Sequence, residues 1–375
     1  MERLILDQIL ELCSLNKFFS CDQHGFQNMC SCVTQLLECL NSWTSNFDEG
    51  IETDVIYLDF AKAFDTVPHQ RLILKLRRAG IRGKVVSWVE SFLRNRRQRV
   101  VLRNGHSNWR EVISGVPQES ILGPILFLIY VNDIPDSLMA TAKMFADDTK
   151  VYNKIKSLSD CEALQEDLNR LSNWSDTWLI KFNESKCVVL KIKQSLEYIY
   201  TLNGSQLCRV DGQRDLGVEV AESLKPAGHI AGIVKKANQM IGLINRCFTG
   251  LDVGKVTVLY RSVVRPILEY GSPAWSPWLR RDIEALEAVQ RRCFRVCHDR
   301  PNIESLELRR RIADLSEVYK YMHGLYRSRS SQFFSHPRRE LRGHSLKLHK
   351  ERVNTDIRKH FFSNRVVDSW NGLPE

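Results

Sequence analysis

Phe145-Ala146-Asp147-Asp148 sets two adjacent carboxylates between short apolar stretches, Leu138-Met139 and Met144-Phe145 before them and Val151-Tyr152 after. The pattern predicts a β-hairpin with the acid pair at its turn. Paired aspartates on a tight turn suit Mg²⁺, a hard ion that prefers oxygen ligands, although solvated Asp-Asp turns are also common. A third acid lies upstream. Val55-Ile56-Tyr57-Leu58-Asp59-Phe60 is an apolar run ending in an aspartate, with Ala61-Lys62-Ala63-Phe64-Asp65 behind it. A buried strand that delivers one acid and a hairpin that delivers two more can hold two metal ions for phosphoryl or nucleotidyl transfer.

The chain has 375 residues, enough for two or three domains with a sizeable core. Its 43% hydrophobic and 26% charged residues are ordinary for a globular protein. A formal charge of +10 points to an anionic partner, most often nucleic acid. The charge is concentrated. Arg94, Arg96, Arg97, Arg99, Arg103 and Arg110 fall between Ser91 and Arg110 with no acid among them. From His336 to Arg365, Arg338, Arg339, Arg342, Lys347, Lys350, Arg352, Arg358, Lys359 and Arg365 face only Glu340, Glu351 and Asp356. Trp88, Phe92, Trp109, Phe333, Phe334, Phe361 and Phe362 interleave with them. Basic side chains neutralise phosphates, and aromatic faces stack on bases.

No apolar run approaches the ~20 residues of a membrane span, and no secretory signal is visible. The eleven cysteines are therefore expected to be reduced thiols in an intracellular setting, cytoplasmic or nuclear. Two loose groupings, Cys21-His24-Cys30-Cys32 and Cys293-Cys297-His298, have the residue types of zinc sites. The second lacks a fourth ligand, and zinc is expected at neither.

Residues 1–50 read as helical, with stripes Leu4-Ile5-Ile9-Leu12-Leu15 and Val33-Leu36-Leu37-Leu40. Residues 51–60 form the acid-bearing strand, and 69–93 read as helices broken near Gly80 and Gly83. Val100–Leu102 and Trp109–Ile113 suit short strands around a turn at Asn104-Gly105. Leu164, Leu168, Leu171, Trp174 and Trp178 repeat at helical spacing. Strands follow at Cys187–Ile192 and Leu216–Val220, and from 221 onward the pattern is mainly helical. The order suggests an α+β domain followed by a helical module.

Taken together, these stretches resemble the reverse transcriptases of non-LTR (LINE-like) retrotransposons, the jockey-like group in particular. The likeness rests on Gln23-His24-Gly25-Phe26, on Leu58 to Val67, on Ser114-Gly115-Val116-Pro117-Gln118, on Ile121 to Phe127 and on Phe145 to Thr149. It continues through Asn183-Glu184-Ser185-Lys186, Asp215-Leu216-Gly217-Val218, Val264 to Tyr270 and Ser369-Trp370-Asn371-Gly372-Leu373-Pro374. A lone Ala-Asp-Asp is weak, but this series runs in order along almost the whole chain.

The resemblance implies a right-hand polymerase palm with truncated fingers, followed by a mainly helical thumb and C-terminal region. Residues 1–50 would be partial fingers and 51–220 the palm with inserted fingers elements. Residues 221–330 would be a thumb-like region and 331–375 a basic tail. The implied activity is RNA-directed DNA synthesis from dNTPs on an RNA template and DNA primer, with two Mg²⁺ ions. Carried over by position, Asp59 and Asp147 would bridge the ions, and Asp148 would complete the triad. Phe64 would be the gate beneath the sugar, and Gln118 would pack under the template–dNTP pair. Lys186 would lie near the triphosphate, and Asp215–Val218 at the primer grip. Arg94, Arg96, Arg97, Arg99 and Arg103 are candidate phosphate contacts. Asp65 has two readings, a cap on the following helix and a metal ligand; the cap is preferred.

Three departures stand out. The family has glycine where this chain has Glu119, and two arginines around a glycine in the segment that here holds Gln27, Asn28, Met29 and Cys30. Glycine permits tight backbone geometry, and a carboxylate repels nearby phosphates. Family members also carry an earlier fingers segment and an endonuclease domain ahead of the first matching stretch. Two expectations follow: an active polymerase core, or a catalytically impaired remnant that still binds nucleic acid.

Overall fold

The strand Glu52–Leu58 (β1) is buried along its whole length, and buried on both faces its second half, Val55–Leu58, is a continuous apolar run rather than an alternation. Four two-residue strands follow: β2 (Arg97–Gln98), β3 (Val101–Leu102), β4 (Gly105–His106) and β5 (Arg110–Glu111). Then come β6 (Thr141–Phe145), β7 (Asp148–Ile155), β8 (Val188–Ile192), β9 (Thr201–Leu202), β10 (Ser205–Gln206), β11 (Cys208–Val210), β12 (Gly212–Asp215) and β13 (Val218–Ala221). Five of them make one sheet in the order β11-β8-β1-β7-β6; the others pair as β2-β5, β3-β4, β9-β10 and β12-β13. The fold thus mixes helix and sheet, as expected.

The computed structural model describes residues 1–375 except 194–195, 249, 251, 296–301, 338–343 and 375. Two compact units result. One comprises Met1–Cys30, Asp54–Val189 and Ser195–Val210; the other comprises Ser31–Thr53, Leu190–Gln194 and Asp211–Glu375.

In the first unit, the helix Gly123–Val131 is apolar all round and is buried from Ile125 to Val131. The helix Leu158–Trp178 opens on a capping box between Ser157 and Asp160 and stops where Leu179 turns left-handed at φ 56°. Its stripe of Leu164, Leu168, Leu171, Trp174 and Trp178 faces the core as the spacing predicts. In the helix Glu2–Leu15, however, Leu6, Ile9 and Cys13 are buried, while Leu4 and Leu15 are exposed. Positions 6, 9 and 13 share one face at helical spacing, and Leu4 and Leu15 lie off it. A buried Lys75 bonds Asp133 and sits 3.7 Å from the ring centre of Trp178, so the charge enters the core with a partner and an aromatic face.

The second unit is mainly helical: Cys32–Asp48, Ala227–Cys247, Arg280–Cys293 and Leu306–Met322 are its long helices. Here the structure corrects the reading of the aromatics in the basic C-terminal tail as faces for stacking on bases. Phe333, Phe334, Phe361 and Phe362 are all buried, so they are core and have no free faces for bases. Arg358 is buried too, and its Nη1 donates to Asn41 Oδ1 at 2.8 Å and Thr44 Oγ1 at 3.1 Å. Arg365 forks onto Asp314 at 2.9 and 2.7 Å. Cations with aromatics at this spacing serve equally well to cement helices. The Trp370-Asn371 pair staples the same region: Trp370 Nε1 donates to Leu346 O at 2.8 Å, and Asn371 exchanges two bonds with the backbone of Leu348. Arg338, Arg339 and Arg342 lie outside the described residues. No helix among the described residues is long and apolar enough to cross a membrane.

Candidate active site

β6 and β7 pair antiparallel with Phe145 opposite Asp148, which leaves Ala146-Asp147 as a two-residue turn. The acid pair therefore straddles turn and strand: Asp147 occupies the turn, and Asp148 opens β7. Ala146 carries φ 58°, the positive angle such hairpin turns need at their first central position. An alanine there is strained, and the surroundings hold it. Gln23, wholly buried, accepts from Ala146 N–H at 2.9 Å and from Gly25 N–H at 2.8 Å through the same Oε1. The segment around it runs alongside β6: His24 N–H donates to Met144 O at 2.8 Å and Met144 N–H to Asp22 O at 2.9 Å. A β-carbon on Gly25 would fall 2.3 Å from Ala146 N, so only glycine allows this approach. Gln23-His24-Gly25 is among the stretches that carry the family resemblance, but nothing local in it announces a clamp on a turn more than a hundred residues away.

Asp59 follows the last residue of β1. Its backbone is pinned on both sides: Asn183 N–H donates to its carbonyl at 2.7 Å, and its own N–H meets Cys187 Sγ at 3.3 Å. Burial pushes the Cys187 thiol up to about 11, so it stays neutral beside the carboxylate. Lys186 Nζ lies 3.6 Å from Asp59 Oδ2. The Asp147 carboxyl is held above the usual carboxylate range, first by burial and then by the charge of Asp59. The structure thus brings together Asp59, Asp147 and Lys186, from three separate stretches. Asp148 is exposed. Among the described residues no three His, Cys, Asp or Glu side chains converge closely enough to hold a metal ion, so the three aspartates do not form a finished cage. The same holds for Cys21, His24, Cys30 and Cys32; Cys297 and His298 lie outside the described residues.

Phe64 stacks on Phe127, ring centres 4.5 Å apart. Gln118 Nε2 donates to Asp65 Oδ1 at 3.1 Å, and Ser114 Oγ donates to Asp65 O at 2.9 Å. Asp65 therefore does not cap the following helix. The next helix, His69–Arg78, begins at Pro68 with no side-chain cap, and Asp65 instead ties two motifs together. Glu119 adopts φ 61°, the conformation for which glycine is suited. Among the described residues, the buried side-chain nitrogen of Gln27 meets no acceptor.

The arginine cluster divides by role. Arg94 pairs with Glu90, and Arg97 lies 3.6 Å from Glu111. Arg96 is half-buried and donates to Gly115 O at 2.9 Å, so it braces the turn ahead of Gln118 from within. Arg99 lies 4.6 Å from the Trp109 ring centre. Arg103 and Asn104 form the turn joining β3 to β4, where Leu102 faces Gly105; the turn sits one residue earlier than the Asn104-Gly105 pair suggests. In the second unit, the predicted primer-grip stretch is the turn between β12 and β13. Leu216 and Gly217 both have positive φ, at 46° and 87°, and Tyr270 Oη donates to Leu216 O at 2.9 Å.

Residues 1–203 match the family described as reverse transcriptase (RNA-dependent DNA polymerase). The chain is 27% identical over 316 residues to the RNA-directed DNA polymerase from mobile element jockey of Drosophila melanogaster, covering 79% of this chain and 34% of that protein. It is 25% identical over 313 residues to the jockey polymerase of Drosophila funebris, covering 79% and 34%. Among solved structures it is similar to apo telomerase from Candida tropicalis, with TM-score 0.46 and 11% identity over 87% of this chain and 54% of that one. The chain spans about a third of the length of the curated relatives it matches. With more than half its length matched, the chain belongs to the reverse transcriptase family, and its relatives there are polymerases of non-LTR, LINE-like mobile elements.

Proposed function

We propose that this chain is the polymerising core of a non-LTR retrotransposon reverse transcriptase, which extends a DNA primer along an RNA template from dNTPs. The observation that carries the reading is the juxtaposition of Asp59 and Asp147. Two carboxylates, one just past the end of β1 and one in the β6–β7 turn, repel each other at a partly buried point, and a divalent cation is what such a pair accommodates. An all-carboxylate donor set suits Mg²⁺ better than a softer metal. Asp59 and Asp147 would hold the ions, with Asp148 beside them on β7. Bound there, Mg²⁺ supplies activation of the primer 3′-hydroxyl and neutralisation of triphosphate charge.

The chain's own residues supply the rest of the proposed mechanism. Gln23 fixes the turn that carries Asp147. Lys186 exchanges its salt bridge with Asp59 for the oxygens of an incoming triphosphate. Phe64, braced on Phe127, presents a fixed ring that a ribose 2′-hydroxyl would strike. Gln118, tied to Asp65, supports the template–dNTP pair. Arg94, Arg97, Arg99 and Arg103, with Trp109, offer phosphate and base contacts, and Arg96 supports them from inside. The right-hand division into palm, fingers and thumb belongs to this reading, as does a site of action within the cell, cytoplasmic or nuclear.

A second reading, impaired catalysis with nucleic-acid binding retained, is favoured by Glu119 in a glycine conformation and by the unmet amide of Gln27. Template-primed incorporation of dNTPs with Mg²⁺ separates the two when run beside an Asp147→Asn, Asp148→Asn double variant. Incorporation by the parent and none by the variant is expected. Equal incorporation by both overturns the assignment, whereas salt-dependent RNA binding without incorporation selects the second reading.

A further inference from the structure

We propose that the helix Leu306–Met322 builds an oxyanion site around Arg310 that takes a phosphate group. Arg310 is 3% exposed, and among the described residues neither Nη1 nor Nη2 meets a hydrogen-bond acceptor. A buried guanidinium without acceptors is costly unless something else supplies them. Three of the four nearby acids accept from other groups. Asp314 takes the fork of Arg365 at 2.7 and 2.9 Å. Glu269 takes that of Arg309, which also reaches Glu304 at 3.1 Å. Glu287 accepts from Glu307 N–H at 3.0 Å. Glu269, Glu287, Glu307 and Asp314 lie within electrostatic range of Arg310 and offset part of its charge, but none accepts from its Nη atoms.

Arg310 opens on a cavity of about 210 Å³ that it shares with Arg311, Arg365, Ser276 and Ser369. Three guanidinium groups and two hydroxyls there outnumber the two acids on the lining, Glu307 and Asp314. The space is far larger than one water needs. A planar guanidinium fork matches two oxygens of a phosphate, while Arg311 from the same helix and the serine hydroxyls from other segments can meet the remaining oxygens. A carboxylate would use the fork alone. The phosphate can belong to free inorganic phosphate or to a nucleic-acid strand, since both present the same oxygens.

The test uses the full chain, with ionic strength held constant by chloride, and reads the thermal midpoint. The probes are inorganic phosphate and a short single-stranded oligonucleotide with a 5′-phosphate. A ligand that binds only the folded state raises the midpoint. Phosphate is expected to raise it above the chloride control, and the increment is expected to vanish in Arg310→Met. Ser369→Asp leaves Arg310 in place and puts a carboxylate on the cavity lining, so it must lose the increment too and decides the matter if Arg310→Met does not fold. An increment with inorganic phosphate makes the free ion sufficient; one with the oligonucleotide alone makes a nucleic-acid strand the source. No increment from either probe, or one that persists unchanged in the folded variants, overturns the site.

Discussion

Gln23 Oε1 accepts the backbone N–H of Ala146 at 2.9 Å, so a fully buried amide near the N-terminus holds the turn that carries Asp147. The same oxygen takes Gly25 N–H at 2.8 Å. Replacing Gln23 by alanine strands two backbone donors, at about 1–3 kcal/mol for each buried group left unpaired. Gln23→Ala is expected to lower the chemical-denaturation midpoint and to slow dNTP incorporation more than it weakens primer–template binding. Gly25→Ala should be at least as severe, because its β-carbon meets Ala146 N at 2.3 Å. Parental stability in both variants would remove the clamp from the account.

The Asp59–Asp147 pair predicts an opposition between stability and activity. The Asp147 carboxyl is raised by burial and by Asp59, so the folded state holds its proton more tightly than the unfolded chain does. The folded state is therefore penalised once pH rises above the ordinary carboxylate range. Without metal at pH 7, Asp147→Asn should be at least as stable as the parent and yet inactive. Added Mg²⁺ should stabilise the parent more than the variant. Differential scanning calorimetry with and without Mg²⁺ checks both statements, and a variant that is clearly less stable without metal contradicts them.

His229 gives the second unit a pH dependence. It is buried, accepts Glu219 N–H at 3.2 Å through Nδ1, and lies edge-on to Trp275. Burial, with a smaller contribution from Arg214, lowers its pKa from 6.5 to about 4. Between those values the unfolded chain binds the extra proton, so this stability is complete above pH 6.5 and is lost as pH falls toward 4. From pH 7 to pH 5 the loss should be about 2 kcal/mol, at 1.36 kcal/mol per pH step below 6.5. Urea titrations at the two pH values measure it, and His229→Phe should reduce the difference; an undiminished difference in that variant rules His229 out as its source.

Glu119 predicts a gain. Relief of its left-handed backbone (φ 61°) by Glu119→Gly should stabilise the protein by about 0.5–1 kcal/mol after the added flexibility of glycine is counted. Combined with Gln27→Arg and Cys30→Arg, it should raise template-primed incorporation several-fold. Incorporation no faster than the parent's would show that these three positions do not limit the enzyme.

Much of this protein is written locally. The apolar run into Asp59, the acid hairpin and the helical stripe Leu164 to Trp178 can be read directly, because backbone geometry imposes periods of two and 3.6 on which residues face inward. What that periodicity leaves undetermined is the partner. Nothing adjacent to Gln23 says that its amide closes on Ala146, and nothing near Asp65 says that Gln118 claims its carboxylate instead of a helix end. The arginines and phenylalanines after residue 330 have the composition of a nucleic-acid tail. Yet Phe362 is fully buried and Arg358 bonds Asn41 and Thr44, because burial depends on contacts between residues some three hundred positions apart. Arg96 differs from Arg99 for the same reason: one meets the carbonyl of Gly115 and the other the face of Trp109. Residue type and spacing decide which chemistry a stretch can perform, while long-range packing decides which of those groups are spent on the fold and which stay available to a substrate.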